Sequence, residues 1–360
     1  MTIGRVRPAV EALAPYRPGK GAKQAEEEHG ISDAIKLASN ENPFPPVPAV
    51  VAAITEAAAG VNRYADHRAT ELRERIGRWL DFDPERVTVG CGSVGLLQQL
   101  SMTFLDPGDE VIYPWLSFEA YPVFANTMGA TSVRVPLVDH TPDLAAVAAA
   151  VTPKTKLILL ATPNNPTGTA LSTDEIAAFL SNVPSDVIVL IDEAYREFSD
   201  PGLGDPSTLC DAHDNLVVFR TLSKAYGLAG LRIGYGLGHP DVITEIDKTL
   251  LAFAVNATAQ AAAMVALDSL DQVAPNIERL LAERSRVTSA LRSAGWSLPD
   301  PQANFVWLPV GDDTDSLALA LEQRGVVIRP FSGEGMRVTI GTESENDRFL
   351  STLAEVATPS

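Results

Sequence analysis

Cysteine is nearly absent: Cys91 and Cys210 are the only two in 360 residues, and neither sits in a CxxC pair, so no disulfide framework staples this chain. Histidine is sparse as well. His29, His67, His140, His213 and His239 are scattered without ligand spacing, and no metal site is expected. Basic residues are outnumbered, 28 Lys and Arg against 46 Asp and Glu, for a formal charge of -18. That balance argues against a nucleic-acid partner, because such binding relies on neutralising phosphates with Lys and Arg. It suits a cytoplasmic enzyme. Long apolar runs are missing too. The most apolar window, Ala257 to Leu267, is alanine-rich and broken by Thr258 and Gln260, so it reads as an interior helix and not as a membrane span. Met1 to Gly21 carries positive charge and proline but no apolar stretch of signal-peptide length, so export is not expected. What is left is 46% hydrophobic and 21% charged, a globular composition with room for one large or two ordinary domains.

One stretch organises the rest: Thr221-Leu-Ser-Lys-Ala-Tyr-Gly-Leu-Ala-Gly-Leu-Arg-Ile-Gly-Tyr-Gly236. The apolar run Leu216 to Phe219 reads as a buried strand that delivers Ser223 and Lys224 into a segment too rich in glycine for an ordinary helix. A lysine amine becomes a nucleophile only where burial or neighbouring positive charge favours its neutral form. The glycines let backbone approach a ligand, and Ser223 with Arg232 can offer a hydroxyl and a guanidinium to an anion. Together these features point to a phosphorylated carbonyl cofactor. A surface loop with a solvated lysine is the plainer alternative.

In chain order, residues 1–35 mix proline, glycine and charge without a period and are expected to form an arm rather than a packed element. A short strand, Ile35 to Ala38, runs into Ser39-Asn-Glu-Asn-Pro-Phe-Pro-Pro46, whose composition demands a turn with exposed amides. Helices are predicted from Val50 to Ala59, from Thr70 to Leu80 and, much later in the chain, from Ala282 to Leu291, with Asn62-Arg-Tyr64 in the loop between the first two. Next, Val87-Thr-Val-Gly-Cys-Gly-Ser-Val-Gly95 is a strand ending in glycines, with a helix starting near Ser93 whose free N–H groups can hold a phosphate. Gly90, Gly92 and Gly95 also spell GxGxxG, so a dinucleotide-binding enzyme is the rival class. That rival needs an acid ending the next strand, whereas Glu110 to Tyr113 has Asp109 and Glu110 at its entrance.

Three aromatics follow in Trp115-Leu-Ser-Phe-Glu-Ala-Tyr121, and Phe118 is the candidate to stack on a flat cofactor rather than serve only as core. Strands at 131–136, 156–161 and 187–191 then alternate with helices at 144–151 and 173–180. Such βα units imply a mainly parallel sheet with ligands at the carboxyl ends of its strands. Thr162-Pro-Asn-Asn-Pro-Thr-Gly168 and Asp192-Glu-Ala-Tyr195 fall at two of those ends. An acid after a fully apolar strand is expensive to bury without a positive partner, and a protonated pyridine nitrogen would be one.

These residues resemble the fold-type I aminotransferases that use pyridoxal phosphate, most closely the histidinol-phosphate and aromatic (phenylalanine) aminotransferase branch. The match runs from Ser39-Asn-Glu-Asn-Pro43 through Asn62-Arg-Tyr64, Gly92-Ser93, Pro163-Asn-Asn-Pro-Thr-Gly168, Asp192-Glu-Ala-Tyr195 and Ser223-Lys-Ala-Tyr-Gly227 to Met336-Arg-Val-Thr-Ile-Gly341. The resemblance implies an α/β fold: a three-layer, mainly parallel large domain and a smaller α+β domain. Residues 1–44 would form an arm and part of the small domain, 45–260 the large cofactor-binding domain and 261–360 the small domain. It also implies roles. Lys224 would form a Schiff base with pyridoxal 5'-phosphate and then move the substrate α-proton. Asp192 would keep the ring nitrogen protonated, and Asn165 and Tyr195 would hydrogen-bond the ring oxygen. Gly92, Ser93, Val94, Ser223 and Arg232 would hold the phosphate, Phe118 would stack, and Tyr64 would reach across a homodimer to the partner's phosphate. Arg337 would take the substrate carboxylate with Asn42 nearby.

The donor side chain stays open between two classes. Tyr16 and Arg329 match positions that hold the substrate phosphate in the histidinol-phosphate branch, whereas Pro45-Pro46, Trp115 with Phe118, and Pro330-Phe331 resemble the aromatic branch. The aromatic reading is favoured. A regulator carrying a similar pyridoxal-phosphate domain fused to a DNA-binding helix-turn-helix is the non-enzyme alternative, disfavoured by about 35 residues ahead of the fold and by the acidic balance.

Overall fold

The computed structural model describes residues 6–11, 13 and 19–357. Strands form where β-branched and leucine-rich runs can be covered on both faces. The first, β1 (Ile35–Leu37), precedes the main series: β2 (Val87–Gly90), β3 (Glu110–Trp115), β4 (Thr131–Val138), β5 (Thr141–Pro142), β6 (Thr155–Ala161), β7 (Ile188–Asp192), β8 (Leu216–Thr221) and β9 (Gly234–Gly238). These last eight make one sheet in the order β2-β9-β8-β7-β6-β3-β4-β5, parallel from β8 through β4 and antiparallel at β9, β2 and β5. A second, four-stranded sheet joins β1 to β10 (Phe305–Leu308), β11 (Val326–Phe331) and β12 (Gly335–Thr339) in the order β1-β11-β12-β10.

The central strands are apolar because helices cover both faces. Leu157, Ile158, Leu159 and Leu160 are all buried, each side chain contributing about 1.5–3 kcal/mol by leaving water. Register then places the site. Ala161 pairs with Asp192, and Asp192 with Phe219, so the carboxyl ends of β6, β7 and β8 reach one edge together. Gly234 pairs with both Gly90 and Thr221, which brings the start of the helix Gly92–Phe104 beside the segment after β8. A Cβ on Gly234 would lie 2.6 Å from Ser93 N, so this approach requires glycine.

The structure departs from the sequence reading in three places. Ala22–His29 is a helix rather than loose arm: Ala25 is fully buried in a cluster with Ala38 and Val327, and Lys20 and His29 both contact Glu322, at 2.5 and 2.7 Å. The single buried small residue among charges hides its period. β3 runs on past Tyr113 through Pro114 and Trp115, because β6 pairs with it only as far as Ile112 and β4 alone flanks the rest. The helix predicted around 282–291 spans Leu270–Ser293, since the buried face of Val273, Leu280, Val287 and Leu291 offsets the bond lost at Pro275.

Candidate active site

Every residue of β8 is buried, and the chain leaves it directly into Leu222, Ser223 and Lys224. Ser223 N donates to Thr221 Oγ1 at 3.2 Å, and the two hydroxyls lie 2.9 Å apart. Lys224 Nζ donates to Ser39 O at 3.3 Å and faces a cavity of about 200 Å³. Burial pushes this amine down to about 8, helped by the positive charges of Arg337 and Arg232, while Glu41 and Asp192 oppose them. A lysine so placed is partly neutral near physiological pH.

Asp192, at the end of β7, lines the same cavity. Its Oδ2 accepts from Tyr121 Oη at 3.2 Å, and its Oδ1 is buried with no hydrogen-bond partner among the described residues. Burial raises this carboxyl to about 6, against the pull of Tyr121, the Ala194 N–H and Lys224. A cationic N–H donor in the cavity would satisfy Oδ1 and return the acid to its charged form. Asn165 follows β6, and its Oδ1 accepts from Arg337 Nη1 at 2.5 Å. Tyr195 is buried against Phe305 with ring centroids 5.1 Å apart, and its hydroxyl accepts from Asn40 Nδ2 at 2.9 Å. Phe118 lines the cavity beside them.

At the other end of the cavity the helix Gly92–Phe104 begins with no side chain capping its first N–H groups. Ser93, Val94, Ser223 and Arg232 converge there. Gly92 has φ +69°, and a Cβ on it would lie 2.7 Å from Arg232 Nη2, so side chain and helix start close around a small space. Free N–H groups, a hydroxyl and a guanidinium fit an anion; the orphaned Asp192 Oδ1 fits a protonated ring nitrogen. The donor set therefore suits a phosphorylated pyridine with a group reactive toward Lys224.

Three of the expected site residues, Tyr64, Arg329 and Asn42, lie outside this cluster. Tyr64 is 83% exposed and stacks on Phe253 at 4.3 Å, away from the cavity of its own chain. Tyr16 lies outside the described residues. Arg329 holds Glu119, with Nη2 at 2.9 and 2.7 Å from the two carboxylate oxygens. Asn42, expected beside Arg337, instead donates to Ala225 O and accepts from Phe44 N, both at 3.0 Å, and faces a neighbouring cleft with Gly227 and Gly341. Asn40 is the buried amide: it bonds Tyr195 and accepts from Thr339 Oγ1 at 2.9 Å. Nothing in the sequence separates these two asparagines. Tyr121 was legible only as one of three aromatics.

The dinucleotide alternative fails on topology. β2 is an edge strand beside antiparallel β9, and β9, β8, β7 and β6 separate it from β3, so no βαβ unit surrounds the GxGxxG glycines. A family model described as aminotransferase class I and II matches residues 32–353. The chain belongs to that family. This aminotransferase therefore acts on amino acids and 2-oxo acids. It is 47% identical over 346 residues to the aromatic amino acid aminotransferase of Mycobacteroides abscessus, covering 96% of this chain and 97% of the relative. With the enzyme of the same name from Thermobifida fusca it shares 47% over 347 residues, 96% of this chain and 95% of that one. Its fold is similar to that of the histidinol-phosphate aminotransferase from Sinorhizobium meliloti in complex with pyridoxal-5'-phosphate, with a TM-score of 0.90, 30% identity, and 98% and 97% of the two chains covered. An aspartate aminotransferase from Thermus thermophilus gives a TM-score of 0.83 at 25% identity over 98% and 99%. No helix among the described residues is long and apolar enough to cross a membrane.

Proposed function

We propose that this aminotransferase uses pyridoxal 5'-phosphate to move an amino group from an aromatic amino acid, phenylalanine or tyrosine, to a 2-oxo acid such as 2-oxoglutarate. The observation that carries the donor assignment is the 47% identity, over nearly the full length of both chains, to aromatic amino acid aminotransferases. When bound, pyridoxal phosphate supplies an aldehyde that captures the amino group and a ring that draws electrons from the substrate α-carbon. The chain's own groups do the rest. Lys224 Nζ, held partly neutral by burial, would take the proton from the substrate α-carbon and deliver it to the cofactor's aldehyde carbon, with the reverse transfer serving the second half-reaction. Asp192 Oδ1 would accept from the ring N–H, while Tyr121 steadies the other oxygen. Asn165 and Tyr195 would orient the ring through its phenolic oxygen, and Phe118 would stack on it. Gly92, Ser93, Val94, Ser223 and Arg232 would anchor the phosphate. Arg337 receives the substrate carboxylate.

The test of the donor assignment is steady-state transamination of phenylalanine, tyrosine, histidinol phosphate, leucine and aspartate side by side. Phenylalanine or tyrosine should show the highest kcat/KM; histidinol phosphate ranking first would overturn it. The proposal includes a cytoplasmic homodimer, whose chains divide near residues 44 and 260. The support for the dimer is Tyr64, exposed and stacked on Phe253 outside the cavity of its own chain. If Tyr64 serves the partner's phosphate, Tyr64→Phe should weaken cofactor binding about tenfold, the loss of one hydrogen bond to a charged group. Mixing it with Lys224→Ala should restore activity, because one site in each mixed dimer is then intact. No recovery despite demonstrated subunit exchange would remove the shared site.

A further inference from the structure

Glu119 sits between Phe118, which lines the cavity, and Tyr121, which holds Asp192. It is the residue before the helix Ala120–Met128, yet its carboxylate caps no N–H of that helix. Both of its oxygens accept instead from Arg329 Nη2, 210 positions along the chain. Arg329 lies directly opposite Arg337 in the β11–β12 register, and the two guanidinium carbons stand 5.7 and 5.9 Å from the Phe331 ring. Like charges facing each other on neighbouring strands repel, and Glu119 offsets one of them. The pair is partly shielded from water, with the Arg329 side chain 15% and the Glu119 side chain 37% exposed, so its charges act more strongly than on an open surface.

We propose that Glu119 is a specificity-determining residue: by neutralising Arg329, which faces Arg337 across the β11–β12 pair, it disfavours substrates with a second anionic group relative to those with an uncharged ring. The inference rests on the aromatic-donor reading above and deepens it. A distal phosphate or carboxylate arriving beside Arg329 meets a cation already matched by an acid. To use that cation it must displace a charge-assisted contact of 2.7 Å and tolerate the displaced carboxylate nearby. An aromatic ring faces neither penalty.

The measurement is the ratio of kcat/KM for histidinol phosphate to that for phenylalanine, in cofactor-loaded enzyme. Glu119→Gln should raise the ratio roughly tenfold or more, through a lower KM for histidinol phosphate, since one unit of like charge is removed at short range. The acceptor side should follow, with 2-oxoglutarate gaining on phenylpyruvate. Glu119→Asp, which keeps the charge, should hold the ratio near wild type. Arg329→Gln perturbs the same pair with opposite sign and should lower the ratio, and the double variant Glu119→Gln/Arg329→Gln should lose the gain of the first. A ratio unmoved in Glu119→Gln, or a gain that survives in the double variant, overturns the inference. The wild-type ratio separates the two failures. Histidinol phosphate preferred by wild type removes the donor reading and this inference with it, whereas phenylalanine preferred by wild type with an unresponsive Glu119→Gln removes only the inference.

Discussion

Lys224→Ala should lower transamination of phenylalanine by at least about ten-thousandfold, the upper range for loss of a positioned proton-transfer group, with the nucleophile lost at the same time. The substitution removes the amine that lines the cavity with Asp192 and Arg232 and leaves the groups at the helix start in place. Cofactor should therefore still bind, and equilibrium dialysis against pyridoxal phosphate would show it. A pH experiment on cofactor-free protein checks the physical basis. The amine sits at about 8 in the folded chain against an ordinary 10.5. Below pH 8 both folded and unfolded chains hold the proton, and the folded state bears the full cost of an ammonium in this cavity. Between pH 8 and 10.5 the folded chain has released its proton and the unfolded chain has not, so folding gains as pH rises. Wild type should accordingly gain about 3 kcal/mol on Lys224→Ala across that window, read by denaturant titration. A stability difference independent of pH would show that burial does not perturb the lysine.

Arg337→Ala should lower kcat/KM for phenylalanine, tyrosine and the 2-oxo acid acceptor alike, by roughly a hundredfold to a thousandfold, because a carboxylate left in a shielded site without its charged partner loses several kcal/mol. The side chain is buried in β12, braced by Asn165 Oδ1 and by Ala38 O at 2.7 Å, and lies over Phe305. Arg337→Lys should recover little, since an ammonium cannot reproduce the two-pronged geometry. Arg337 also helps hold the Lys224 amine down, so its removal should move the pH at which Lys224 of the cofactor-free protein reacts with an amine-directed reagent above about 8. A loss confined to one substrate, or an unmoved Lys224 profile, would place Arg337 away from the common carboxylate.

The chemistry of this chain was legible in its sequence wherever one local pattern carried it. A lysine after an apolar strand and before four glycines, an acid ending Ile188–Asp192, and glycines between a strand and a helix each announce themselves within about fifteen residues, because strand burial, helix starts and tight turns are decided by near neighbours. The alternation of strands and helices likewise carried the parallel sheet, and with it the edge at which those residues meet. Tertiary structure alone decided the partners. Asn40 and Asn42 are the same residue type two positions apart, and only distant contacts separate them: Tyr195 and Thr339, 155 and 299 positions away, bury the first, while Ala225 O, 183 positions away, takes the second at a half-buried position. The short helix Ala22–His29 exists because Val327 and Glu322 lie over it, and Arg329 is bound to an acid because β11 passes Glu119. Periodicity records which face of an element is buried. Which polar group meets which across hundreds of residues depends on how the two sheets pack, and a one-dimensional pattern carries no term for that distance.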